Sequence, residues 1–357
     1  MNHIEKQTEK NHRILKALRG EPTDTTPIWM MRQAGRYLPE FRAARARMPD
    51  FMQFCKIPEY AAEVSLQPID RFGFDAAIIF SDILTVVDAL GFDLRFEKGH
   101  GPVVHNPVRQ RSDLSHCSVD AALANLQYVP EAVKLTTNAL AARVPLIGFA
   151  GSPWTVACYM VQGRNVEQFA EIRKMAYRDP ALLHQLLDIL AAVTIPYLNS
   201  QIEAGAEIIM LFDSWGGLLS PVQYAEFSLR YMEKIAAGVH REYRGQHVPL
   251  IFFTKGGFSY LPQLAQTTCD AVGLDWTVDL AAARALMPQR FALQGALDPL
   301  ALYAPPAMIR REVQRLMEAY GPGPGFIFNL GHGIDKDTPV EHVYALVEAV
   351  REFGRRE

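Results

Sequence analysis

EIIMLFDS, residues 207–214, places five consecutive apolar residues, Ile208 to Phe212, between two carboxylates. The run is too short for a helix, which usually needs about 10–12 residues, and it does not alternate. A continuous short apolar run fits a parallel strand covered on both faces. Its end is abrupt: Asp213 and Ser214 follow Phe212 directly. The same plan recurs at PIWMM (27–31), DAAIIFSD (75–82), VPLIGFAG (144–151), PLIFFTKG (249–256), AVGLDW (271–276), FALQGALD (291–298) and FIFNLGHG (326–333). That makes eight expected strands.

Longer amphipathic or apolar stretches lie between them. Helices are expected over 179–206, 220–243 and 338–353, opened by Asp-Pro, Ser-Pro and Thr-Pro, each a capping residue followed by a first-turn proline. GPGPG (321–325) reads as the turn that launches the eighth strand. Eight alternating β-α units predict an α/β chain folded as one (β/α)8 TIM barrel over 1–357. An open doubly wound sheet would usually carry a glycine-rich phosphate turn after an early strand, and neither G-x-G-x-x-G nor a P-loop stands there. The stretch from Asp82 to Val144 exceeds one helix and reads as an insertion after the second strand. Within it LGFDLRFEKGHGPVV alternates like a hairpin turning at Lys98-Gly99.

In such a barrel the C-terminal strand ends build the active site. Those ends are Arg32, Asp82, Gly151, Asp213–Ser214, Lys255, Asp275, Asp298 and His332. Arg32 and Arg36 flank Gln33, Ala34 and Gly35, and two guanidinium groups beside a glycine turn can grip carboxylates or phosphates. Asp82 either caps the next helix or supplies an acid opposite Arg32. Ser214 has no G-x-S-x-G around it and reads as a hydrogen-bonding hydroxyl. His332, between two glycines, can bind a carboxylate or move a proton, or is a loop histidine bonded to backbone. Tyr159 in SPWTVACYMVQG is a core aromatic or a phenol reaching the mouth. Arg42, Arg45 and Arg47 read as the solvated face of the following helix. Lys255 in FFTKGG is weak evidence for a Schiff base.

Composition narrows the classes. A net charge of -3 argues against a nucleic-acid binder held by electrostatics. Of the 36 Lys and Arg residues 26 are Arg, a skew toward forked donors. Four scattered cysteines without C-x-x-C suit reduced thiols in a cytoplasmic protein. The first twenty residues lack the apolar core of a signal peptide, and no apolar run approaches the roughly 20 residues of a membrane span. His100 and His105 lack the Cys or acidic partners of a metal site.

The stretch PIWMMRQAGRYLPEFR (27–42) resembles the N-terminal signature of the uroporphyrinogen decarboxylase family, and IGFAGSPWT (147–155) resembles its second signature. FSDIL (80–84), VGLDWTVD (272–279), QGALDP (294–299) and NLGHGI (329–334) match in order. The resemblance implies a single-domain barrel, a homodimer, and an enzyme without metal or organic cofactor. It implies that Arg32 to Arg36 bind substrate carboxylates and that Asp82 is the acid of the site. Tyr159, Ser214 and His332 are implied as further substrate contacts, with Phe149 and Phe212 as apolar walls. The substrate implied is uroporphyrinogen III, whose four acetate arms lose CO2 to give coproporphyrinogen III. MVQGRN (160–165) departs from the glycine-rich run expected after Tyr159. A zinc methyltransferase on the same barrel would carry H-x-C, which is absent. A non-catalytic tetrapyrrole binder could keep the arginines but would not need Asp82.

Overall fold

The computed structural model describes residues 11–97 and 99–356. Seven regular strands form one parallel sheet: β1 (Ala77–Ile78), β2 (Leu146–Gly151), β3 (Ile208–Asp213), β4 (Leu250–Thr254), β5 (Ala271–Gly273), β6 (Ala292–Leu297) and β7 (Phe326–Leu330). Each pairs with the next in sequence, so the order is β1 through β7 without a reversal. Every residue of β2, β3, β4, β6 and β7 is buried, as their unbroken apolar runs require. The result is a curled α/β fold of the TIM-barrel type.

The eighth expected strand, PIWMM, is not a regular strand. Ile28 makes one isolated parallel bridge to Phe328, with the Phe328 amide donating to the Pro27 carbonyl at 2.8 Å. On its other side the Asp75 amide donates to the Ile28 carbonyl at 2.8 Å. The Ile28 amide donates to the Asp75 side chain at 2.8 Å, so a carboxylate stands where a strand carbonyl would be. The segment thus reaches both edges of the sheet. Asp75 is fully buried and compensated: Arg351 Nη1 lies at 2.8 Å, Arg13 Nη1 at 3.2 Å and Asn11 Nδ2 at 2.6 Å.

The helix caps hold in two of three cases. Asp179 accepts the Leu182 amide at 3.0 Å and Ser220 accepts that of Gln223 at 3.4 Å. Thr338 does not cap: its hydroxyl is buried without a partner and the last helix begins at Val340. The helix expected over 220–243 stops at Gly238 and carries a π segment over Tyr224–Leu229. Glu242–Tyr243 then pairs with Gln246–His247. Arg244 (φ 51) and Gly245 (φ 72) make the tight left-handed turn that such a hairpin needs. The helix Pro180–Ala204 runs 25 residues and is long and apolar enough, by length and composition, to cross a membrane. This corrects the reading that no apolar run is that long. Its leucines face both the sheet and neighbouring helices, and over half of its apolar window is buried inside the protein.

Between β1 and β2 lie the helices Thr85–Ala89, Val119–Asn125 and Tyr128–Leu140 and the expected hairpin, Leu94–Glu97 against Gly101–Val104. Lys98, at its predicted turn, lies outside the described residues. The unusual MVQGRN run is fixed by this hairpin. Gly163 ends its helix at φ 83, its carbonyl accepts the Val104 amide at 2.8 Å, and Arg164 bridges Val103.

Candidate active site

The turn after Met30 is pinned from three sides. The fully buried Gln33 side chain accepts the Met30 amide at 3.1 Å and donates to the Ala76 carbonyl at 3.1 Å. Asn329 of β7 accepts the Met31 amide at 2.9 Å, and Tyr37 donates to the Gln33 carbonyl at 2.8 Å. These bonds hold Arg32 at φ 62, a left-handed conformation that is uncommon for arginine. Its side chain then lies across Gly333, where a Cβ would stand 2.3 Å from Arg32 Cδ. Arg32 and Arg36 are both exposed. Neither makes a side-chain hydrogen bond or ion pair among the described residues. Glu40, the nearest acid in sequence, is engaged elsewhere and pairs with Arg71 at 2.6 Å. Of the other arginines, Arg42 donates to the Arg36 carbonyl at 2.7 Å and Arg47 pairs with Glu63 at 2.5 Å.

Arg32 opens onto a cleft of about 700 Å³, counting the space continuous with solvent. Met31, Arg32, Ala34, Ser81, Asp82, Ser214 and His332 line it with Ile78, Ile79, Phe80 and Ile83. Phe149 and Phe212 form an apolar wall, edge to face with centroids 5.4 Å apart. Gln33 does not line the cleft; it holds the turn that does. Gly35 shapes the same turn, since a Cβ there would sit 3.0 Å from the Arg32 carbonyl. Tyr159 also stands back from the lining. Its hydroxyl accepts the Trp215 indole N–H at 3.1 Å, and burial pushes its pKa up to about 12.

Asp82 lines the cleft and turns the chain into the next helix, although the N-cap position itself is Leu84. Its Oδ1 accepts the Leu84 amide at 2.8 Å, and its carbonyl accepts the Thr85 hydroxyl at 2.9 Å as the next helix starts. The second carboxylate oxygen has no partner among the described residues. Burial raises the Asp82 pKa, opposed by the Leu84 amide and by the charge of Arg32. Ser214 lines the cleft with no hydrogen bond of its own among the described residues. His332 is pushed down to about 3, first by burial and then by the positive charges of Arg32 and Lys255. It is therefore a neutral imidazole near neutral pH and makes no hydrogen bond among the described residues.

Three acids expected at the mouth turn out to be local braces. Asp213 is fully buried and accepts Ser152 Oγ at 2.5 Å, Ser228 Oγ at 2.7 Å and Thr155 Oγ1 at 2.8 Å. Thr155 Oγ1 in turn accepts the Trp215 amide at 3.1 Å, so this hub fixes the turn that carries Ser214. Asp275 is buried and accepts the Thr277 hydroxyl at 2.6 Å and the Gly256 amide. Asp298 caps the following turn through the Leu300 amide at 2.9 Å. Gly151 is a packing position, where a Cβ would meet Val156 at 2.7 Å.

Comparison with known proteins decides the family. Residues 9–353 match the family model described as Uroporphyrinogen decarboxylase (URO-D). A protein of Coxiella burnetii called uroporphyrinogen decarboxylase is 53% identical over 345 residues, covering 97% of this chain and 96% of that one. The chain belongs to the uroporphyrinogen decarboxylase family. A further relative of that name, from Hydrogenovibrio crunogenus, is 53% identical and covers 97% of this chain and 98% of its own. Among solved structures, a methyltransferase from Methanosarcina mazei superposes with a TM-score of 0.80 at 24% identity, over 97% of this chain and 99% of that one. A putative vitamin-B12 independent methionine synthase from Listeria monocytogenes gives 0.55 at 11% identity, over 94% and 96%. Both likenesses establish a shared TIM-barrel-like fold. Within the uroporphyrinogen decarboxylase family, the cleft of Arg32, Asp82, Ser214 and His332 is the place to look for chemistry.

Proposed function

We propose that this protein is a uroporphyrinogen decarboxylase, a carbon-carbon lyase that removes the four acetate carboxyl groups of uroporphyrinogen III to give coproporphyrinogen III. The observation that carries the reading is the opposition of free charges across one cleft. Arg32 on the cleft makes no ion pair among the described residues, Arg36 stands outside the lining and is likewise unpaired there, and Asp82 keeps one oxygen open. A flexible ring of four pyrroles with eight carboxylates is complementary to that pattern: anionic at its rim, N–H-lined at its centre.

In this reading Arg32 and Arg36 hold acetate and propionate groups by forked hydrogen bonds. Ser214 and the neutral His332 add hydrogen bonds, Tyr159 supports them from behind, and Phe149 and Phe212 pack against the macrocycle. Asp82 accepts hydrogen bonds from pyrrole N–H groups. Protonation of a pyrrole carbon makes the ring cationic. The electron pair of the breaking C–C bond flows into that ring as CO2 leaves, protonation of the exocyclic carbon gives the methyl group, and loss of the proton first added to the ring carbon restores the pyrrole. The Asp82 carboxylate stabilises the cation in a partly desolvated cleft. An arginine is a poor acid at its ordinary pKa, so a water placed by Arg32 delivers the proton. The ring itself is the electron sink, and the reaction proceeds without metal or organic cofactor.

The proposal extends to architecture. The chain is one domain, a (β/α)8 barrel in which the segment at Ile28 serves as the eighth strand and residues 83–143 decorate the rim. It works as a homodimer, as the family resemblance implies. Its four free cysteines suit a reducing cytoplasm. Anaerobic incubation with uroporphyrinogen III tests the activity. Products with seven, six, five and four carboxylates are expected in succession; tight binding with no CO2 released leaves a tetrapyrrole binder instead.

A further inference from the structure

We infer that Lys255 is a further anchor for a substrate carboxylate, set on the rim between Tyr159 and His332. The inference rests on the function proposed above. Lys255 follows β4 directly and is half-buried. Its Nζ lies 5.6 Å from the Trp215 ring centroid and 5.3 Å from that of Trp276. Two aromatic faces attract the ammonium and hold a flexible four-carbon chain in one place. Among the described residues no carboxylate pairs with it and its ammonium makes no hydrogen bond. The nearby Asp275 carboxylate is occupied by Thr277 and the Gly256 amide. A cation held in position without a counter-ion is complementary to an incoming anion.

Its neighbours tie it to the cleft. The Trp215 indole donates to Tyr159, and Trp276 meets His332 edge to face with centroids 6.4 Å apart. Tyr159, Trp215, Lys255, Trp276 and His332 therefore run as one arc. Arg32 lies against Gly333, the residue after His332. Lys255 and Arg32 both act on His332 by charge. Two cations thus act on the one neutral imidazole, which suits a ligand that carries several carboxylates. A Schiff-base role needs a carbonyl substrate, which a porphyrinogen does not offer.

Lys255→Met and Lys255→Arg test this, with folding checked by circular dichroism and Lys255→Gln as a second neutral variant. Binding of uroporphyrin, the oxidised octacarboxylate, is measured by absorbance titration, and turnover with uroporphyrinogen III in parallel. Loss of one charge-assisted contact predicts Kd and KM raised about tenfold in the neutral variants. Their kcat should stay within about twofold, and Lys255→Arg should recover most of the affinity. Unchanged Kd and KM overturn the inference, as does a fall in kcat alone. Wild-type protein that binds the porphyrin but releases no CO2 defeats the decarboxylase reading separately, and the Kd comparison then decides Lys255.

Discussion

Arg32 combines a left-handed backbone, a glycine floor and no counter-ion, and each can be tested by one substitution. Gly333→Ala puts a methyl group 2.3 Å from Arg32 Cδ, so the side chain must leave its place. The expected result is a KM raised about tenfold with little change in Tm, because the displaced group is exposed and the lost contact is to substrate. Asp82→Asn keeps the shape and one acceptor for Leu84. It should fold normally and lose on the order of 100-fold or more in kcat, as when a transition-state charge partner is deleted. Near-wild-type turnover would remove Asp82 from the mechanism. That Arg32, Asp82 and His332 would share one cleft was readable because each follows an apolar run. Gln33 and Asp213 break such runs in the same way, yet turn inward. Sequence does not separate the two outcomes, since what differs is the partner: Gln33 meets the Ala76 carbonyl and Asp213 meets three hydroxyls, all remote in the chain.

At the scale of elements, the strands were legible and their regularity was not. The run at 27–31 has the composition of a strand, but one of its partners is the side chain of Asp75. Removing that carboxylate leaves Arg351 and the buried Ile28 amide without their partner, while Arg13 keeps its forked pair with Asp24. Asp75→Ala should therefore cost about 3–5 kcal/mol, the range for breaking one side of a buried ion pair, seen as a lower urea midpoint with an unchanged m-value. A loss below about 1 kcal/mol would mean that water replaces the carboxylate there. The short hairpin at 242–247 was missed because its first strand, Glu242–Tyr243, reads as the end of the helix expected over 220–243. The R-G pair just after it was the available signal, a poor helix continuation and a workable tight turn, and both residues do take positive φ.

For the whole molecule, pH and chelation give the broad tests. His332 has a folded pKa of about 3 against 6.5 for the free side chain. Between those values the unfolded chain carries a proton at this site that the folded chain refuses. Stability is complete above about 6.5 and falls as pH drops toward 3. Asp82, raised by burial, acts in the opposite sense, so the comparison must isolate the histidine. From pH 7.5 to 5.5 the wild type should lose about 1 kcal/mol more than His332→Gln in urea titrations. An equal loss in both would place the proton elsewhere. Dialysis against a chelator should leave turnover unchanged if the pyrrole ring is the electron sink; a loss restored by a metal would refute that step.

The segment at Ile28 finds its strand partner at Phe328. The chain from Ile28 to Phe328, a separation of 300 residues (328 − 28), takes on the order of 15–60 s to synthesise at about 5–20 residues per second. Until then Trp29, Met30 and Met31 on the nascent chain lack the β7 side of their enclosure, and Asp75 lacks Arg351. Vectorial synthesis therefore leaves the turn that carries Arg32 without its Asn329 bond until β7 emerges. The ribosome-bound chain is an incomplete barrel with an open seam, and binding of the porphyrinogen is a post-translational event.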